Sequence, residues 1–164
     1  MEANMEGNQT QPRAILVFGA PCSGKTTFCE KFAKQFKAAY FYLNEIKEKN
    51  DLERKHILLL VEQLTKTGQT LVFEGGIDTE DDRKEIYKIL RLAHYNPSLI
   101  YIQTDAATLR NRLKARLKSV AKAKAEYEER TSKLEAPSEL ERPIVLSGKH
   151  TYPTQLKQVL TQLA

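Results

Sequence analysis

The chain has 164 residues, 41% apolar and 29% charged, which is room for one ordinary domain and excludes disorder or a fibrous repeat for its bulk. No apolar run approaches the roughly 18 to 20 residues of a spanning helix, and MEANMEGNQTQP at 1–12 has neither a basic start nor an apolar stretch, so a cytoplasmic protein without membrane contact is expected. Twenty-six Lys and Arg against 21 Asp and Glu give a net charge of +5, a bias that suits anionic substrates without requiring nucleic acid.

A polar tail, expected to be disordered, occupies 1–12, and 13–164 reads as a single domain. Ala14 to Phe18 (AILVF) is a continuous apolar run, too short for a helix and bounded by Gly19, as in a strand buried on both faces. From Lys25, the residues Phe28, Cys29, Phe32, Ala33 and Phe36 recur at helical spacing. Ala39 to Leu43 reads as a second strand, Leu52 to Lys66 as a helix that ends before Gly68, and Thr70 to Phe73 as a third strand running into Glu74, Gly75 and Gly76. Ile86, Ile89, Leu90 and Ala93 form one face of a helix that stops before an Asn96-Pro97 turn signal. Leu99 to Ile102 is strand four, and one long helix is expected from Ala106. Ile144 to Leu146 is strand five, and Leu156, Val159, Leu160 and Leu163 stripe a closing helix. Near-continuous apolar strands alternating with helices imply a doubly wound α/β domain with a five-stranded parallel sheet. Cys22 and Cys29, in a loop and the helix after it, are expected to be free thiols.

The residues that carry chemistry stand after the first strand. Gly19, Ala20, Pro21, Cys22, Ser23, Gly24, Lys25 and Thr26 fit G-x-x-x-x-G-K-[ST] between a buried strand and the first turn of a helix, the context this phosphate-binding loop requires. Its glycines let backbone N–H groups wrap around a β-phosphate, and the helix adds the positive end of its dipole. Lys25 is then expected to bridge the β- and γ-phosphates of ATP, with the Thr26 hydroxyl on Mg²⁺ and Thr27 beside it. A carboxylate such as Glu74, at the end of a strand next to the loop strand, lies on the ligand-binding edge of an open α/β sheet.

No Asn-Lys-x-Asp base-reading motif is present, and the chain is short for a ring-forming mechanical ATPase with a separate lid domain. The stretches Gly19 to Thr27, LNEIK at 43–47, VFEGGIDTEDDR at 72–83 and RLKAR at 112–116 resemble the compact P-loop kinases related to polynucleotide 5′-kinase, zeta toxin and the nucleoside monophosphate kinases. That resemblance spans about 13–164 and implies strand order 2-3-1-4-5 with a short helical lid at about 117–140. It implies that Glu74, where such kinases more often carry Asp, holds the Mg²⁺ hydration shell. It implies Arg112 beside the adenine, Arg116 as a catalytic arginine on the phosphates, and Gly148 in the turn behind the adenine. Gly75, Gly76 and Arg83 are implied on the acceptor side.

One position departs from the pattern. Where the polynucleotide-kinase-like members carry an aspartate base after strand two, this chain has Asn44, followed by Glu45. Either the register shifts by one and Glu45 serves, or another carboxylate such as Asp78 does, or the acceptor is not a hydroxyl, or catalysis is weak. Residues 106–125 hold Arg110, Arg112, Lys114, Arg116, Lys118, Lys122 and Lys124 without an acid, and no aromatic residue stands among them to stack on bases. The expectation is an ATP- and Mg²⁺-dependent kinase acting on a small metabolite or nucleotide, with Asn44 on the substrate side. A polynucleotide 5′-kinase and a switch that hydrolyses ATP slowly are the alternatives.

Overall fold

The computed structural model describes residues 10–164, so the expected disorder of residues 1–9 in the polar tail lies outside the described residues. In chain order the elements are β1 (Arg13–Phe18), α1 (Lys25–Phe36), β2 (Ala39–Tyr42), α2 (Leu43–Lys49), α3 (Arg54–Thr65), β3 (Leu71–Glu74) and α4 (Glu80–Leu92). There follow β4 (Asn96–Gln103), α5 (Ala106–Leu117), α6 (Val120–Ser132), a 3-10 turn at Glu139–Glu141, β5 (Ile144–Ser147) and α7 (Tyr152–Leu163). All strand pairs are parallel, in the order β2-β3-β1-β4-β5 that the family resemblance implied.

The apolar run of β1 is continuous because both its faces are covered. Ala14, Leu16 and Phe18 point into one core cluster with Ile57 and Val61 of α3 and Ile86 and Leu90 of α4. Ile15 and Val17 point into the other, with Phe28, Cys29 and Phe32 of α1 and Val159 of α7. The same alternation on β2 sends Ala39 and Phe41 to the first cluster and Tyr40 to the second, on the α1 side. Cys29 is buried there as a free thiol, and Cys22 is free as well. No helix among the described residues is long and apolar enough to cross a membrane.

Three boundaries differ from the sequence expectation. Leu43 does not finish β2 but starts α2, a short helix that LNEIK did not announce because its one apolar anchor follows directly on a strand. The Asn96-Pro97 pair is the start of β4, not a turn. The chain reverses at His94, which takes a left-handed φ of 60°, and the Asn96 N–H donates to the Pro12 carbonyl at 2.8 Å. Pro97 then has its missing N–H on the side where β5 has not begun, since pairing with β5 starts at Ile100. The long helix from Ala106 is two helices: Lys118 turns left-handed (φ 53°), and the Ser119 side chain caps α6 by accepting from the Lys122 N–H.

Candidate active site

β1 ends beside the C-terminal end of β3, Val17 opposite Glu74, and its exit loop, Gly19 to Gly24, leads straight into α1. Gly24 caps that helix at φ 102°, a left-handed conformation that glycine adopts freely, and no side chain caps it. The first amides of α1 are therefore open to an anion. A Cβ on Gly24 would meet nothing within 4 Å, so the cradle is open at this point. Inside the loop the buried Ser23 Oγ has no hydrogen-bond partner. The Lys25 ammonium closes the loop by donating to the Gly19 and Ala20 carbonyls at 2.8 Å each. Burial pulls its pKa below the usual lysine value, and the carboxylates of Glu74 and Asp78 pull the other way.

Glu74 is buried, and both its oxygens are held. Thr26 Oγ1 donates to Oε1 at 2.7 Å and the Tyr40 hydroxyl donates to Oε2. Burial and the adjoining carboxylate drive the Tyr40 phenol far above its ordinary pKa, so it stays a donor. A hydroxyl and a carboxylate next to a phosphate cradle are the hard oxygen donors that Mg²⁺ takes, which makes this the fitting place for the metal.

A cavity of about 750 Å³ opens above this floor, lined among others by Thr26, Thr27, Arg112, Arg116, Arg130 and Gly148. Arg112 bridges the loop to the turn after β5, donating to the Cys22 and Gly148 carbonyls at 3.1 Å each. Gly148 cannot carry a side chain, because a Cβ would collide with Thr104 Oγ1 and the Ser23 carbonyl. A second cavity of about 710 Å³ continues past Lys25, Tyr42 and Arg130, which line both, to Asn44, Gly75 and Asp78. A larger cavity of about 1170 Å³ at the opposite end of the sheet, by Arg91 and Arg142, has no such cradle.

The acceptor side differs most from the sequence expectation. Glu45 lies on the outer face of α2, exposed and paired with Lys49, because successive helix residues turn about 100° and it is its neighbour Asn44 that faces the cleft. Asn44 is a clamp: its Oδ1 accepts the Gly76 N–H at 3.0 Å, and a Cβ on Gly75, at φ 73°, would come within 2.7 Å of its Nδ2. Gly76 itself is held through its carbonyl by Arg54. On this side of the cleft Asp78 lines the cavity with Lys25 and acts on its charge, and its own pKa is raised, chiefly by burial.

Arg83, expected on the acceptor side, is instead a buried strut. Only 1% of it is exposed, with its guanidinium 4.7 Å over the Phe18 ring and bonded to Glu141 at 2.6 Å and to the Ile77, Asp78 and Glu135 carbonyls. It ties the loop bearing Asp78 to the segment that follows α6, whose Glu135 N–H donates to the Asp78 carbonyl at 2.8 Å. Arg83→Met removes the guanidinium from over Phe18 and leaves Glu141 without its ion-pair partner, and is expected to cost about 3–5 kcal/mol. A urea midpoint unchanged from the parent would contradict this account of Arg83.

Two arginines approach the cleft from facing helices. Arg116 of α5 and Arg130 of α6 both pair with Glu126 Oε1, at 2.6 and 3.4 Å. Arg130 had no motif to announce it: its i, i+4 spacing from Glu126 marks a helix face but not which way that face points. Tyr40 and Tyr42 had only strand alternation to place them.

Residues 15–137 match the family model described as "AAA domain". No curated protein matches significantly. Among solved structures, a gluconokinase from Sinorhizobium meliloti 1021 superposes with a TM-score of 0.72 at 14% identity, covering 94% of this chain and 93% of that one. The Mycobacterium tuberculosis APS kinase CysC, in complex with AMPPNP and APS, gives 0.74 at 14%, over 93% of this chain and 98% of that one. Chaetomium thermophilum Kti12 with ADP-AlF3 gives 0.71 at 14%, over 92% and 96%.

Proposed function

The chain belongs to the AAA domain family and has the fold of the compact P-loop kinases, and from that footing we propose that it transfers the γ-phosphoryl group of MgATP to a small metabolite or nucleotide. The observation that carries this reading is the continuity of the two cavities: Lys25, Tyr42 and Arg130 line both, so a phosphate on the loop and a hydroxyl near Asp78 face each other across one ammonium. Such an arrangement serves positioning and charge neutralisation, which is most of what a loose phosphoryl-transfer transition state needs.

In this reading the backbone from Gly19 to Gly24 holds the β-phosphate, and Lys25 leaves the Gly19 and Ala20 carbonyls for the β- and γ-oxygens. Thr26 and Glu74 would hold Mg²⁺. The ion supplies neutralisation of the charge on the phosphate oxygens. Arg112 and Gly148 flank the adenine, and Thr27 closes the helix end of the nucleotide site. Arg116 and Arg130 exchange Glu126 for phosphate oxygens as the segment 117–140 acts as the lid. Asp78 accepts the acceptor hydroxyl's proton, with Asn44 and Gly75 shaping the wall beside it. The names of two neighbours, a gluconokinase and an APS kinase in complex with APS, support a small anionic acceptor in this reading.

A panel of hydroxy acids, sugars, nucleosides and nucleotides is expected to contain a compound that accelerates ADP formation. Thr26→Val and Glu74→Gln are expected to weaken MgATP binding about 10- to 100-fold and to leave metal-free ATP binding unchanged. Equal losses with and without metal in calorimetry would remove Glu74 from the metal site. The acid-free stretch from Arg110 to Lys124, with seven basic residues, favours a second acceptor, a nucleic-acid 5′ end. Binding of a 5′-hydroxyl oligonucleotide that falls with salt at a slope near 0.7 per phosphate contact would support it.

A further inference from the structure

Glu74 holds its place through two hydroxyl donors, and only one of them belongs to the phosphate-binding motif. The other comes from an edge strand. In the β2–β3 register Tyr40 stands opposite Val72 and Tyr42 opposite Glu74, so residue 40 lies one same-face step before the carboxylate. Its ring packs against the core cluster under α1 while its hydroxyl reaches forward to Glu74 Oε2. Thr26 Oγ1 takes Oε1 at 2.7 Å.

A carboxylate has about four lone-pair sites. With one donor on each oxygen, Glu74 keeps two sites for waters and has lost the freedom to rotate. The Thr26 hydroxyl, with its O–H donated in a hydrogen bond to Glu74, keeps its own lone pairs available to another partner. Without Tyr40 the buried Oε2 has no protein donor among the described residues, and the carboxylate is free to turn about its last bond.

We propose that Tyr40 is a positioning residue for the metal centre, its hydroxyl fixing the Glu74 carboxylate in the one orientation in which it and Thr26 present a joint oxygen face to Mg²⁺. This rests on the reading of Thr26 and Glu74 as the metal site. Outer partners of this kind orient metal-binding carboxylates, and their loss costs about 10- to 100-fold in metal affinity.

The test is a Mg²⁺ titration of binding of a fluorescent ATP analogue to the full chain, on the parent, Tyr40→Phe, Glu74→Gln and the double variant. Tyr40→Phe removes one oxygen and keeps the ring, and a thermal melt checks that the fold is retained. The Mg²⁺ concentration at half-saturation is expected to rise about tenfold in Tyr40→Phe, with analogue affinity in EDTA unchanged. The double variant is expected to match Glu74→Gln, because a positioning effect has nothing left to position. A Tyr40→Phe titration that overlays the parent while Glu74→Gln is shifted overturns the proposal and leaves the metal site standing. Two shifts that simply add, or an equal loss in EDTA, make Tyr40 a packing residue and overturn it as well. If Glu74→Gln itself does not shift, the metal site fails, and the proposal with it.

Discussion

Replacing Lys25 with alanine is expected to abolish measurable MgATP binding while leaving the fold intact. Its ammonium is the one lysine charge at the phosphate loop itself, and in the free chain it is spent on two backbone carbonyls, of Gly19 and Ala20. Those are neutral acceptors, so exchanging them for phosphate oxygens converts ordinary hydrogen bonds into charge-assisted ones, roughly twice as strong. The variant therefore loses little in the free chain and much in the complex. Folding is not at risk, because the core under α1 is made by Phe28, Cys29 and Phe32 and not by residue 25. A calorimetric titration in which Lys25→Ala binds MgATP as the parent does would overturn the assignment of the phosphate loop.

Asp78→Asn is expected to lower phosphoryl transfer by about 10² to 10⁴-fold, the usual weight of a general base, with MgATP affinity nearly unchanged. Asp78 is a half-buried carboxylate that shares the cleft with Lys25, and its backbone is fixed by Arg83 and Glu135. Burial, with Asp82 adding to it, raises its pKa above the usual aspartate value, while Lys25, Arg83 and Arg130 oppose the rise. The working form of a base is the ionised one, so activity in the parent should fall as pH drops through that raised pKa, earlier than for an ordinary carboxylate. Asp78→Asn should lose this acid limb. Glu45→Gln, on the outer face of α2, should keep both the rate and the limb. An acid limb that persists in Asp78→Asn and vanishes in Glu45→Gln would return the base to residue 45.

What could be read from the sequence was what a single segment decides. The runs AILVF, LVF and LIYI are apolar on every residue because helices cover both faces, and the phosphate loop is a contiguous motif, so strands, sheet class and Lys25 were legible together. Glu74 was legible because a strand end next to the loop strand fixes its place. What required the fold was every contact made at long range. Arg83 was expected on the acceptor side, but Phe18 and Glu141, 58 residues downstream, enclose it. Asn44 fell where a base was sought; its amide is used on Gly76, 32 residues away, and the helix turn sends Glu45 outward. Arg130 reaches the cleft only because Lys118 takes a left-handed turn that folds α6 back over α5, a break that an Ala- and Lys-rich run conceals.

The most direct test of phosphoryl transfer to an acceptor, as against slow hydrolysis, is the fate of the γ-phosphate of labelled ATP, followed with the parent protein and the acceptor panel in the presence of Mg²⁺. Label is predicted to move onto one class of acceptor, faster than it appears as inorganic phosphate, and to stop moving in Asp78→Asn. Label that goes only to inorganic phosphate, at a rate no acceptor changes and Asp78→Asn does not alter, would contradict the kinase reading and leave a nucleotide-hydrolysing switch.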